Sequence, residues 1–304
     1  MTTIGIDVGG TSVRAGVVDG TGRVVATARG HTRSTEQALE DEICGVIARL
    51  RADHDVDAVG LAVAGFVAAD RRTVMFAPHL PWRDVAVADR IAARIGLPVV
   101  LEHDANAAGV AEHRFGALAG SRVGLLIALG TGIGAALILD GEIYRGAHGV
   151  APELGHLRLV PAGRTCPCGK RGCWERYCSG TALAAVAQDL AAGGTPTVLG
   201  SHPTGRTVAA AAREGDPVAR AAVADLAAWL AEGLALAADA YDPDTIALGG
   251  GVSVSADLFL PEATSRLRDL LTGAGHRPYP VVRPATYPDH AGMIGAAVLA
   301  AALV

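Results

Sequence analysis

The densest chemistry in the sequence lies in the run Cys166-Pro-Cys168-Gly-Lys-Arg-Gly-Cys173. It offers three thiols at spacings of two and five residues, with glycines that let the chain bend tightly round a small ion. His156, ten residues before Cys166, can complete a Cys3His set of the kind that holds structural Zn2+ in a tetrahedron. The alternative is three buried free cysteines. Their crowding, the odd total of five with Cys44 and Cys178 standing elsewhere, and the lack of an export signal after Met1 favour reduced thiols and a metal over disulfides. Four protein ligands leave no open position, so the metal is expected to be architectural and not a Lewis acid.

Phosphate chemistry is suggested by a glycine-loop device that occurs twice. Ile4 to Val8 leads through Gly9, Gly10 and Thr11 to a second apolar run from Val13 to Val18, then Asp19-Gly20, then Val24 and Val25. Val123 to Leu129 leads through Gly130-Thr131-Gly132-Ile133-Gly134 to Ala135 to Leu139, then Asp140-Gly141, then Ile143. Each unit reads as strand, glycine loop, strand, hairpin turn, strand. A single such loop is equally well a hairpin whose glycines supply positive φ. Two facing loops with bare backbone amides can instead donate to the phosphates of one nucleotide, with hydroxyls from Thr11, Ser12 and Thr131. Asp7, at the end of the first strand, can hold hydrated Mg2+. A third run, Gly249-Gly250-Gly251, follows another strand where nucleotide backbone or adenine can approach; its alternative is a close-packing turn.

Phosphoryl transfer asks for positioning, charge stabilisation and one group to accept the proton of the attacking hydroxyl. Asp104 stands between a short strand, Pro98 to Leu101, and an Ala-rich helix, Ala105 to Phe115. Taken alone it reads first as an N-cap, a role compatible with remaining ionised beside the helix N-terminus. Glu153 and Glu175 flank the metal ligands by three and two residues, which fixes both near the metal; otherwise they read as solvated loop charges.

These residues need a scaffold of strands and helices. Amphipathic or Ala-rich helices are expected at Glu36 to Arg51, Val85 to Ile95, Thr181 to Leu190 and Pro217 to Tyr241, with strands at Ala58 to Ala64 and Thr245 to Leu248. Strands alternating with helices imply mixed α/β sheets covered by helices. With 304 residues, half of them apolar, two cores can be buried. The expected division is 1–115 with a returning C-terminal helix in 289–304, and 116–288. A net charge of -5 supplies no field for a polyanion, so neither nucleic acid nor an anionic membrane is an expected partner. Charges at Arg220, Asp225, Glu232 and Asp239 interrupt the long Ala-rich helix, which therefore reads as a core helix and not a membrane span. A cytoplasmic location is expected.

In order, Asp7-Val-Gly-Gly-Thr, Glu102-His-Asp104-Ala-Asn106, Leu129-Gly-Thr-Gly, Glu153-Leu-Gly-His156, the three-cysteine motif ending in Glu175, and Leu248-Gly-Gly-Gly resemble the ROK family, and within it the actinobacterial type of glucokinase. The match spans essentially the whole chain, and its most specific part is the cysteine motif. The resemblance implies the two-domain actin-like (ribonuclease H-like) α/β ATPase fold with a nucleotide and sugar cleft between the domains, and ATP-dependent phosphorylation of the 6-hydroxyl of glucose. It places Asp104 at the catalytic base and puts Gly65, Asn106, Glu153, His156 and Glu175 on or beside the sugar. It agrees with His156, Cys166, Cys168 and Cys173 as zinc ligands. A homodimer or homotetramer is the expected assembly.

The sequence departs from this glucokinase pattern at two places. His103 stands where Asn usually precedes the catalytic Asp, and His79, in Ala77-Pro78-His79-Leu80-Pro81-Trp82, stands where Asn is usual. Both are counted with the sugar contacts, and they admit another hexose or N-acetylhexosamine, such as N-acetylmannosamine, as substrate. A sugar-responsive regulator is a rival, but it needs a helix-turn-helix segment before the first loop, where only three residues precede Ile4. A filament or chaperone ATPase would have no use for Asp104, Glu153 and Glu175 around a zinc loop.

Overall fold

The computed structural model describes residues 2–304. The first glycine-loop unit forms β1 (Thr2–Val8), β2 (Ser12–Asp19) and β3 (Val24–His31), an antiparallel meander in register from Thr2 against Asp19 to Val8 against Val13. The turn after β2 is held by the Asp19 carboxylate, which accepts from Thr21 and Arg23 backbone amides, and closes at Gly22 with φ 83°. Helix α1 (Glu36–Arg51) starts where the Thr35 hydroxyl accepts from Ala38 N, and turns Leu39, Ile43, Val46, Ile47 and Leu50 inward at helical spacing.

β4 (Ala58–Val63) is buried along its whole length, as a central strand between two parallel neighbours covered on both faces must be. It is followed by a small antiparallel sheet, β5 (Phe66–Val67), β6 (Val74–Phe76) and β7 (Arg83–Val85), whose two- and three-residue strands are too short to carry a period-2 signal. Helix α2 (Val87–Ile95) leads through Gly96, left-handed at φ 69°, to β8 (Val99–His103). Helix α3 (Asp104–Phe115) follows without a break. The first sheet therefore has the order β3-β2-β1-β4-β8.

The second sheet has the order β11-β10-β9-β12-β13, from β9 (Val123–Leu129), β10 (Ile133–Leu139), β11 (Glu142–Ile143), β12 (Thr245–Gly249) and β13 (Val281–Pro284). Its first three strands repeat the first sheet's meander, with Asp140 and Gly141 both at positive φ in the turn. Short 3-10 turns at Leu154–His156 and Trp174–Arg176 flank the metal loop. The remaining helices are α4 (Gly180–Ala192), α5 (Gly205–Arg213), α6 (Pro217–Tyr241), α7 (Leu260–Leu270) and α8 (Ala291–Ala301), with a further 3-10 segment at Ser253–Leu258. Helix α6 is long and apolar enough to cross a membrane, but it buries Leu226, Leu230, Leu234 and its alanines among its neighbours and is a core helix here.

The chain forms two compact units: one comprises the chain up to Gly120 with Ala136–Pro152 and Asp289–Val304, the other Ser121–Ala135 with Glu153–Pro288. The units depart from the division read in the sequence at Ala136–Pro152, which groups with the first unit. Gly109 of α3 shows why: a Cβ there would stand 2.7 Å from Ala136 Cβ, so the helix lies directly on this segment. In the first unit α8 packs on β1, β4 and α3 through small residues. A Cβ on Gly5, Gly60 or Gly295 would run into the backbone of Met293, Ala296 or Ala107 respectively. The C-terminal helix is thus seated on glycines far away in sequence.

Candidate active site and metal centre

In the first unit, the loop between β1 and β2 is closed by Gly9 N donating to Ser12 O at 3.1 Å. Neither Gly9 nor Gly10 has positive φ, and the same is true of Gly130 and Gly132 in the second loop, which Gly130 N closes on Gly132 O at 2.9 Å. A simple turn requirement therefore does not explain these glycines. Open space surrounds the position of a Cβ at Gly130, as expected where something must come close to bare backbone. Thr32, just after β3, donates its hydroxyl to Gly9 O at 2.5 Å, a support that no sequence pattern marked. His79 lies over this loop, its Cβ 2.9 Å from where a Gly10 Cβ would be.

Asp7 is largely enclosed, and Arg14 donates to its Oδ2 at 2.5 Å. Burial pushes the Asp7 carboxyl above its ordinary pKa, the Arg14 guanidinium opposes this, and the nearby Asp104 charge adds to the rise. Two carboxylates close enough to repel make a place for positive charge. Arg14 was not legible as part of a site, because its role depends on β2 lying beside β1 with Arg14 opposite Asp7.

Asp104 is the first residue of α3, with 41% of its side chain exposed. The cap reading is corrected: His103 occupies the N-cap position, and the Asp104 Oδ1 accepts from the adjacent Ala105 N at 2.7 Å. His103 Nε2 is 3.1 Å from the same oxygen. Behind them Glu102, 2% exposed, is the centre of a buried cluster. It accepts from Arg145 Nε at 2.9 Å, from Asn106 Nδ2 at 3.0 Å and from His103 N at 3.1 Å, with Arg71 Nε at 3.5 Å. Asn106 is only 1% exposed, its Oδ1 has no partner, and it supports Glu102 from the first turn of α3. Gly65 is required by packing: a Cβ there would be 2.6 Å from Ala77 Cβ and 2.7 Å from Phe76 O. Arg71 and Arg145 escaped the sequence reading, since only folding brings them to Glu102.

In the second unit, one ligand atom from each of His156, Cys166, Cys168 and Cys173 lies within 4.8 Å of the others. Cys168 Sγ and Cys173 Sγ are 3.6 Å apart, and Cys166 Sγ is 3.7 Å from His156 Nδ1. Metal bonds of about 2.3 Å to sulfur in a tetrahedron give edges of roughly 3.8 Å, so this donor set fits Zn2+. Burial raises the Cys166 and Cys173 thiols above their ordinary pKa, so they are neutral until a cation is bound. Tight bends at Gly169 and Gly172, φ 88° and 79°, bring the three cysteines together. Glu175 Oε1 stands 3.1 Å from Cys166 Sγ and 3.6 Å from His156 Nδ1, and Glu153 Oε2 is 3.9 Å from His156 Nε2. The cluster and both carboxylates are therefore brought together. The Gly249–Gly251 run is divided in character: Gly250, φ 78°, packs 2.5 Å from Leu129 O on the position of a Cβ, whereas Gly251 faces open space.

Residues 3–302 match the model of the ROK family. A glucokinase of Streptomyces coelicolor is 41% identical, covering 98% of this chain and 97% of that protein. The crystal structure of a ROK family glucokinase from Streptomyces griseus in complex with glucose and AMPPNP superposes with a TM-score of 0.90 at 42% identity, covering 99% of this chain and 100% of that one. A ROK hexokinase from Thermus thermophilus superposes with a TM-score of 0.85 at 32% identity over 100% of this chain and 99% of its own. The paired glycine loops, the carboxylate that opens α3 and the Cys3His cluster thus belong to a two-domain α/β kinase fold, and the chain is a member of the ROK family.

Proposed function

We propose that the chain is an ATP-dependent glucokinase that phosphorylates the 6-hydroxyl of glucose in the cytoplasm. The observation that carries the proposal is the pair of glycine loops without positive φ, accompanied by an accessible carboxylate, Asp104, and by a Cys3His cluster that holds Glu153 and Glu175. The likeness to glucokinases at 41% and 42% identity supports both donor and acceptor.

In this reading Asp104 accepts the proton of the sugar hydroxyl as that oxygen attacks the terminal phosphorus, and His103, 3.1 Å away, restrains the carboxylate. The Glu102 cluster fixes the backbone at His103, so the base is presented from a stiff strand-to-helix junction. Asn106, Glu153, His156, Glu175, Gly65, His79 and His103 provide sugar contacts or stand beside them. Gly9 N and Gly130 N close the two loops internally, so the backbone amides of Gly10 and Gly132, with hydroxyls of Thr11, Ser12 and Thr131, face the nucleotide phosphates, and the Gly249-Gly250-Gly251 turn stands on the nucleoside side with Gly251 open to it. Asp7 supplies oxygen donors suited to Mg2+, which when bound neutralises charge on the transferring group. Zn2+ fits the Cys3His donors, where its chemistry is structural. The assembly proposed is a homodimer or homotetramer.

The test is coupled ADP release with glucose, mannose, fructose, allose, N-acetylglucosamine and N-acetylmannosamine. Sugar-dependent turnover with the highest kcat/KM for glucose is expected. ATP consumption indifferent to sugar would overturn kinase function, and a higher kcat/KM for another sugar would overturn glucose.

A further inference from the structure

Glu175 touches two functional devices at once. One carboxylate oxygen, Oε1, is beside the metal ligands Cys166 and His156. The other, Oε2, lies so close to Gly132 that a Cβ on this glycine would collide with it. Gly132 belongs to the loop between β9 and β10, and the rest of that loop rests on the same region of chain. Gly155, next to the ligand His156, is pressed against Ile133 O with no room for a side chain. Gly180 N donates to Gly130 O at 2.8 Å, and the Thr181 hydroxyl donates to Thr131 O at 2.6 Å. Residues 180 and 181 follow the last ligand, Cys173, by only seven and eight positions. Successive carbonyls of the loop are therefore tied to the chain leaving the metal motif, and its other side is braced by Gly155 and Glu175.

We propose that the metal centre sets nucleotide affinity by bracing this loop, with Glu175 as the positioning residue that links the two. The proposal rests on the reading of residues 130–132 as phosphate-binding and of the Cys3His set as a zinc site. A bound metal holds the ligands, the ligands hold Glu175 and Gly155, and these hold Gly132 and Ile133 in the conformation that receives phosphate. Coupling between two binding events is reciprocal, so nucleotide must tighten zinc by the factor by which zinc tightens nucleotide.

Zinc affinity is measured on the full chain by competition with a chromophoric chelator, without sugar, in the presence and absence of a non-hydrolysable ATP analogue with Mg2+. Calorimetry measures the analogue on zinc-loaded and zinc-free protein. At least fivefold tighter zinc with nucleotide is expected, with the same factor in the calorimetry. In Glu175→Ala, which keeps all four ligands, the factor should fall below twofold. Gly132→Ala, whose methyl must displace the Glu175 carboxylate, should weaken zinc at least threefold although it alters no ligand. Equal zinc affinity with and without nucleotide in the wild type, while both ligands bind, overturns the coupling. A chain that binds no zinc, or no nucleotide, overturns the underlying site reading instead.

Discussion

His103 Nε2 stands 3.1 Å from Asp104 Oδ1, so the imidazole of the residue before the proposed base lies against its carboxylate. An imidazole at this distance can donate to the carboxylate once the two align in the closed site. A hydrogen bond to a charged group that tightens in the transition state contributes about 1.5 to 3 kcal/mol, or roughly 10- to 150-fold in a rate. His103→Phe, which cannot donate, should lower kcat by at least about tenfold. His103→Asn keeps a donor and should cost less, but its shorter reach should change the kcat/KM ratio between hexoses by about fivefold or more. His79→Asn, over Gly10, should change that ratio less. Steady-state kinetics on a panel of sugars decides both points.

Asp104→Asn keeps the size of the side chain and the acceptor for Ala105 N, while removing the basic oxygen. The expected loss in kcat is about 10²- to 10⁴-fold, with sugar affinity by calorimetry within a factor of three. Retention of more than a tenth of wild-type kcat would place the base elsewhere.

Metal content should be one zinc per chain by elemental analysis, and Cys168→Ser should lose both zinc and activity. Acid should release the metal. Burial raises the Cys166 and Cys173 thiols in the metal-free protein, so protons compete there more strongly than at a free cysteine. Zinc affinity should therefore fall steeply as pH decreases, and rise as pH increases until both thiols ionise without the metal. A flat zinc affinity between mildly acidic and mildly alkaline solution would contradict this account.

Asp7→Asn should separate stability from function. The Asp7 carboxyl is raised by burial, so above its folded pKa the ionised form costs the native state free energy that the unfolded chain does not bear. Below the unfolded value, near 3.8, both states are protonated and the cost disappears. Neutralising the group should leave Tm unchanged or higher at neutral pH, since Arg14, whose side chain is 41% exposed, is still solvated. The same change should weaken Mg2+-nucleotide binding. A large fall in Tm would show that the pair with Arg14 is needed for folding.

The sequence by itself determined the parts whose chemistry is local. Thiol spacing marked the metal loop, because ligands on one short loop need only tight turns to converge. Helical periodicity marked α1, and an Ala-rich run broken by charges marked α6, both to the residue, because an apolar stripe of helical spacing and a long run of strong helix formers each have one way to be buried. The duplicated strand and glycine-loop pattern marked both meanders, because an apolar run interrupted by glycines is a backbone instruction. Tertiary structure decided what depends on neighbours from elsewhere in the chain. Arg71 and Arg145 meet Glu102 only because the loop before β6 and the chain after β11 fold onto β8, and a charge has no periodicity that reveals its partner. Arg14 meets Asp7 through strand register, His103 took the cap position from Asp104 through the exact end of β8, and Glu175 meets Gly132 through a contact that exists only where a side chain is missing. Short-range geometry is written in residue spacing, whereas the pairing of buried charges and the seating of one loop on another follow from packing, which no stretch of sequence contains alone.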